Sequence, residues 1–435
     1  MSQAHDHTQD GLVSPAPSPG PLAGIRVVDC SAVLAGPYCT MLLADLGADV
    51  VKIEPPEGDG TRGWGPPWVG SEEDGTRTAA YYLAVNRNKR SLRLDLKTAD
   101  GKAILRRLLA DADVFIENFR VGGLARLGFG DDALDEINRD LVHLAVSGYG
   151  PTGPDAQKPG YDFVIQAQGG LMSITGARDQ DGGGPTKVGV AISDVVTGLF
   201  ATVSVLASLI ARGPAGGGAG TPGATGRGHG GGGQRIDVSL LGSTLAVLVN
   251  QAQNAFVSGH APGRLGNAHP NIVPYEIFAT ADGELALAVG SERQWARLCE
   301  LLGTPDLQHD PRYATNGDRV ANRLKLRAIL AARFADGTTA RWLQALDEAE
   351  IPCGAINDIA AAFAMPQAQA LGMDATVEHP VLGTLRQAGI PFQLSATPAT
   401  IRTAPPLLGE HSREILAELG YEPAAIDDLA ARGVI

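Results

Sequence analysis

Asp194 is the residue best placed to do chemistry, in the stretch 187–198, KVGVAISDVVTG. Val188, Val190 and Ile192 alternate as a short buried strand or extended segment does, Ser193 and Asp194 are both good N-cap types, and an apolar helical run over 195–210 follows. A carboxylate so placed meets the unpaired N–H groups and the positive end of a helix, which keep it ionised. Two roles fit. Asp194 caps the helix, or it serves as an ionised oxygen nucleophile, and this stretch by itself does not decide between them.

Other side chains invite chemistry and each has a plain structural alternative. Arg87, Lys89, Arg90 and Arg93 crowd VNRNKRSLRLDLK, which suggests local handling of an anion such as a nucleotide phosphate, or a charged loop tied to nearby carboxylates. Glu54 ends a strand-like run as the acid of a dinucleotide site does, but the preceding loop reads Ala35-Gly36-Pro37 and lacks GxGxxG. His143 sits inside an apolar strand, where a core histidine is expected. Cys30, Cys39, Cys299 and Cys353 show no CxxC or Cys/His spacing, which argues against a zinc site or a disulfide framework and for a reducing cytoplasm.

The elements that must position these groups alternate. IRVVD reads as a strand, SAVLAGPYCTMLLADLG as a helix closed by Gly47, and ADVVKIE as a second strand, a βαβ unit that implies a parallel sheet. A Gly/Pro/Trp loop over 55–78, a helix over 99–110, a strand ending at Asn118-Phe119, a helix over 133–138 and a strand over 141–147 continue the pattern. The expected fold is α/β: a doubly wound, Rossmann-like large domain with ligand at the carboxyl ends of its strands, plus a smaller α+β domain. The expected boundaries are a disordered tail over 1–20, the large domain over 21–212 and a Gly-rich flexible insertion over 213–233. A linker with a strand and one long helix follows over 234–264. The small domain over 265–345 opens with a hairpin around Asp282-Gly283, and 346–435 returns to the large domain and carries a last helix near 413–419.

A net charge of −13 over 435 residues argues against nucleic-acid and anionic-membrane partners, both of which want clustered Lys and Arg. No run of 18 apolar residues suggests a membrane span, and the N-terminus lacks a signal-peptide pattern. A cytoplasmic location is expected.

Seven motifs in one order then carry a resemblance: LAGPYCTMLLADLGADVVKIE, VNRNKRSLRLDLK, DVFIENFRVGGLARLGF, GYDFVIQAQGGLMSITG, VGVAISDVVTGL, GNAHPNIVPY and PPLLGEH. From about residue 21 onward the chain resembles the class III (CaiB/BaiF) CoA-transferases, and looks most like their succinate–hydroxymethylglutarate (glutarate) type. The resemblance implies that Asp194 is the catalytic aspartate and that Val33, Asn118, Phe119, Arg126 and Leu127 lie at the coenzyme A site. Gly266, Asn267 and His269, in GNAHPNI, stand where formyl-CoA transferase has a loop that closes over the intermediate. Leu34 and Pro55 replace that enzyme's glutamine and CoA-contacting arginine, which speaks against a formyl or oxalyl substrate and leaves the reaction type intact.

The implied substrates are an acyl-CoA, succinyl-CoA or similar, and a carboxylic acid, with no metal and no redox cofactor. The implied assembly is a homodimer of two interlocked rings. The implied chemistry is covalent: Asp194 takes the acyl group as a mixed anhydride and then CoA as an aspartyl thioester, with backbone N–H groups near 266–271 as oxyanion donors. Two alternatives remain. An α-methylacyl-CoA racemase would need two opposed acid/base groups, and the His of its His-Asp pair is here Tyr161, before Asp162. A non-catalytic CoA-binding protein is the other.

Overall fold

The computed structural model describes residues 20–213 and 232–435. The expected tail and Gly-rich insertion therefore lie almost wholly outside the described residues. The described residues divide into two compact units, one of 20–147, 198–213, 232–238 and 371–435, the other of 148–197 and 239–370. The second unit thus takes in 148–197 and 346–370, stretches assigned from sequence to the large domain and its return.

The first unit is built on β1 (Arg26–Cys30), β2 (Asp49–Glu54), β3 (Lys89–Arg93), β4 (Val114–Glu117), β5 (Val142–Ser147) and β6 (Arg235–Ser239), in the order β3-β2-β1-β4-β5-β6. The pairs β1–β2, β2–β3, β1–β4 and β4–β5 are parallel. Strands such as VVDC and VFIE are buried throughout, as parallel strands covered on both faces must be. Two of the crossovers run through α1 (Ala35–Asp45) and α2 (Ala99–Ala110). Thr98 caps α2 by accepting from the Gly101 N–H, and Ile104, Leu105 and Leu109 pack with Val28, Val51, Leu92 and Phe115 into the main core. The returning C-terminal stretch adds Ile415, Leu416, Ile426 and Leu429 to that core. A final helix, Pro423–Ala431, follows the expected one at Ser412–Glu418.

The second unit holds α3 (Asp162–Gln168), the start of α4 (Ile192–Arg212), α5 (Leu240–Ala246) and α6 (Val249–Ser258). The single long helix expected from 240 onward is two, with Val249 at φ +39° where they meet. The expected hairpin is present: β7 (Tyr275–Ala279) pairs antiparallel with β8 (Glu284–Ala288), and β9 (Cys353–Ala355) adds on β8. Trp295, Leu298, Leu326, Phe334 and Leu346 close a separate core over this small sheet.

Three of the four residues of the basic cluster at β3 are structural. Arg87 meets Asp45 through Nε and Nη2 at 2.7–3.2 Å, Lys89 meets Asp29 at 3.2 Å, and all four are buried. Arg90 is shared among Asp49, Glu414 and Glu418. The anion-handling reading of these residues does not hold for those three, because carboxylates of the same fold already occupy them. Breaking a buried pair leaves an uncompensated charge, so Asp45→Ala is expected to cost about 3–5 kcal/mol, read as a lower midpoint in equilibrium denaturant unfolding. A loss below about 1 kcal/mol would show that Arg87 reaches water instead.

Candidate active site

At the carboxyl ends of β1, β2 and β4, where the strand order reverses, the first unit opens a cleft of about 370 Å³. This is where open α/β sheets place ligands. Its lining includes Ser31, Ala32, Lys52, residues 94–97, Asn118, Phe119 and Leu127. Three of the five residues expected at the coenzyme site therefore share it. Val33 and Arg126 are not among the lining residues, and residues 94–97 were missed, although their LDLK directly follows a strand in the expected ligand-binding position.

The cleft's floor is set by buried charge. Asp29 accepts from the Ser31 N–H at 2.9 Å, the Ser31 hydroxyl at 2.5 Å and the Thr40 hydroxyl at 2.6 Å, and lies 3.2 Å from the Lys89 ammonium. Burial alone would push the Asp29 carboxyl up, but Lys89, Lys52 and the two hydroxyls outweigh it and hold it below its usual range. Burial also pulls the Lys89 ammonium down to about 8, with Asp29 as its main opposing partner. Lys52 moves the other way because three carboxylates, those of Asp29, Asp59 and Glu54, overcome its burial. Lys52 donates to the Ser31 carbonyl at 2.9 Å and meets Asp59 at 3.0 Å.

That network dictates the loop after β1. Ser31 is held at its N–H, hydroxyl and carbonyl, and the next residue is clamped by Asn118, whose side-chain carbonyl accepts from the Ala32 N–H at 3.0 Å while its amide donates to the Ala32 carbonyl at 2.7 Å. Val33 is thereby driven to φ +76°, a left-handed conformation that a β-branched residue adopts only under constraint. Gly36 permits the first turn of α1 to approach, since a Cβ there would stand 2.3 Å from the Ser31 hydroxyl oxygen. Glu54 is no ribose acceptor: it receives both Nε and Nη2 of Arg62 at 2.7 Å, the Ser91 hydroxyl at 2.7 Å and the Asp59 N–H at 3.0 Å.

Arg126 lies exposed at the end of a short helix, Gly123–Arg126, and its guanidinium has no hydrogen bond or ion pair among the described residues. His143 in β5 is the core residue expected, its ring stacked 5.3 Å from that of Phe115 in β4.

In the second unit, the strand expected over 188–192 is irregular chain, and α4 begins at Ile192, so Ser193 and Asp194 lie inside its first turn rather than before it. The Ser193 N–H in that turn is met by another residue's side chain: Asp162 Oδ1 accepts it at 2.8 Å. Ser193 is fully buried, and its hydroxyl accepts from Thr244 of α5 at 2.9 Å. Asp194, 9% exposed, follows directly.

The 266–271 loop is anchored. Gly266, at φ +64°, donates its N–H to the Gly176 carbonyl, and the His269 N–H goes to the Tyr275 carbonyl. Arg323 donates to the carbonyls of His269 and Pro270 at 3.1 and 2.6 Å. His269 is half-buried rather than solvated. Its Nδ1 accepts from the Asn271 N–H at 3.1 Å, and burial, then Arg323, lower its pKa, so the ring is neutral at pH 7. Four loop N–H groups, those of Gly266, Ala268, His269 and Asn271, already have acceptors, which leaves the Asn267 N–H without one among the described residues.

The profile of CoA-transferase family III matches residues 22–412. The chain belongs to that family. It is 44% identical over 400 residues to the succinate–glutarate CoA-transferase of Agrobacterium fabrum, covering 92% of this chain and 96% of that one. It is 40% identical over 417 residues to the human succinyl-CoA:glutarate CoA-transferase, covering 95% and 90%. A CaiB/BaiF family protein from Brucella suis superposes with a TM-score of 0.78 at 41% identity, over 92% of this chain and all of the other. This family III member is therefore an enzyme that transfers CoA, with CoA thioesters as co-substrates.

Proposed function

We propose that this CoA-transferase moves CoA from succinyl-CoA to a second carboxylic acid, a dicarboxylate such as glutarate, with Asp194 as the nucleophile. The choice of acids is supported by the names of the two relatives at 40–44% identity. The observation that carries the nucleophile is its setting. Asp194 is nearly buried in a first helical turn whose preceding residue is fixed at N–H and hydroxyl by Asp162 and Thr244. A racemase would need two opposed acid/base groups, and Tyr161 stands before Asp162 where its pair has a His.

The steps balance without a proton. An Asp194 carboxylate oxygen attacks the thioester carbonyl, the C–S bond breaks, and CoA thiolate leaves behind a mixed anhydride. Thiolate then attacks the aspartyl carbonyl and expels the donor acid, forming the aspartyl-CoA thioester. The acceptor carboxylate attacks that carbonyl, thiolate leaves, and its return to the acceptor's carbonyl releases Asp194. The Asn267 N–H is the available loop donor for an oxyanion. Coenzyme A belongs in the cleft of Ser31, residues 94–97, Asn118 and Phe119, with Arg126 as a phosphate contact.

The protein also forms a homodimer, as interlocked rings. Supporting this, α4 exposes Leu199, Phe200, Val203 and Ile210, the last two 64% and 82% exposed. This 21-residue helix is long and apolar enough to cross a membrane, and a partner chain is the occupant proposed here for that face.

Intact mass after incubation with succinyl-CoA is expected to reveal an acyl- or CoA-sized adduct on the wild type, absent from Asp194→Ala. No adduct, with α-proton exchange into deuterated water instead, would reject the transferase mechanism. Arg126→Ala is expected to raise KM for succinyl-CoA about ten-fold, with kcat held, matching loss of one charge-assisted contact. An unchanged KM would remove Arg126 from the site. Light scattering should give a particle of twice 45.0 kDa, and a stable monomer would exclude the dimer.

A further inference from the structure

A chain of hydrogen bonds runs from the backbone at Val188 to the backbone at Ser193 through two side chains. The Val188 N–H donates to Gln166 Oε1 at 2.9 Å, Gln166 Nε2 donates to Asp162 Oδ2 at 2.8 Å, and Asp162 Oδ1 accepts from the Ser193 N–H at 2.8 Å. Asp162 and Gln166 stand four residues apart on α3, so they share one face. Gln166 is fully buried. Both ends of the chain are backbone donors that cannot reverse.

This imposes a parity. Between two fixed donors, the pair of side chains must present an acceptor outward at each end and exchange one hydrogen bond between them. One carboxylate and one amide meet that requirement. Two amides leave two N–H groups facing each other, whichever way either is flipped, and two carboxylates leave two anions facing each other unless they take up and share a proton. Val188 and Ser193 bracket the irregular segment that leads into α4, and Ser193 immediately precedes Asp194. The pair thus fixes both where that segment starts and how the first turn enters the helix.

We infer that Asp162 and Gln166 act as a positioning pair for Asp194, in which the pairing of one carboxylate with one amide matters and the side on which the charge sits does not. The inference rests on the reading of Asp194 as nucleophile. Asp162 does not touch the reacting atoms; it acts through the backbone of Ser193, and a displacement of order 1 Å there costs on the order of 10²-fold in rate.

The test is an isosteric swap in the full-length enzyme, assayed for CoA exchange from succinyl-CoA to glutarate. Asp162→Asn breaks the parity with two amides, Gln166→Glu breaks it with two carboxylates at alkaline pH where the pair holds no shared proton, and the double variant Asp162→Asn/Gln166→Glu restores it with the order reversed. Each single variant is expected to lose on the order of 10²-fold in kcat while KM for succinyl-CoA stays within about three-fold, since a positional defect weakens the transition state and not ground-state binding. The double variant is expected to recover to within about ten-fold of the wild-type kcat, a strong non-additivity between contacting residues. A double variant no better than Asp162→Asn would overturn the proposal, because a residue needed for its own charge or for proton transfer is not rescued by a carboxylate at 166. An undiminished kcat in Asp162→Asn would overturn it equally. The double variant carries the same Asp162→Asn change as the single one, so its recovery also excludes a simple folding defect. Failure of the pair leaves the wild-type Asp194 adduct in place, whereas failure of the nucleophile reading removes that adduct from the wild type itself.

Discussion

Asp29 is the charge on which the first unit's cleft depends. It lies fully buried with two lysines near it, and the charges are interdependent: removing Asp29 would leave Lys89 without its ion-pair partner, and removing Lys52 would strand Asp59. Desolvation of such groups costs several kcal/mol each, so the arrangement persists only because hydroxyls, backbone N–H groups and carbonyls meet the remaining valences. Those same bonds reach the backbone of the loop after β1. The network is therefore less a source of stability than a means of holding Ser31, Ala32 and a strained Val33 in one conformation at the switch point of the sheet.

The second unit solves a similar problem with uncharged backbone and one carboxylate. A helix start leaves N–H groups without partners, and an aspartate in the first turn is the ordinary remedy. Here the Ser193 N–H is met by Asp162, a residue 31 positions earlier in the chain. Ser193 is gripped from a third side by Thr197, whose hydroxyl donates to the Ser193 carbonyl at 2.6 Å. The proposed exchange between thioester and anhydride needs an oxygen that returns to one place through four attacks, and such a setting suits it.

Much of this was legible in local pattern. Branched runs at 26–30 and 49–54 around a capped apolar helix can only build a parallel unit, and the alternation through Ser147 follows from it. The hairpin at Asp282-Gly283 and the buried His143 were likewise legible, because both follow from nearest neighbours in sequence. Alternatives stayed open where partners are distant. Arg87, Lys89 and Arg90 look like an anion site until Asp45, Asp29 and Asp49 arrive from other elements. The segment 188–192 alternates like a strand, yet the N–H groups at Val188 and Ser193 find Gln166 and Asp162 in place of a neighbouring strand.

Sequence alone determined the α/β class and the family, since motif order and hydrophobic period are properties of the chain itself. Only the tertiary structure decided which basic residues are already neutralised, that residues 94–97 join the cleft, and that Asp162 meets the first-turn N–H beside Asp194. The physical reason is the same in each case. A hydrogen bond or ion pair is defined by distance and direction between groups far apart in sequence, and neither quantity exists until the chain has folded.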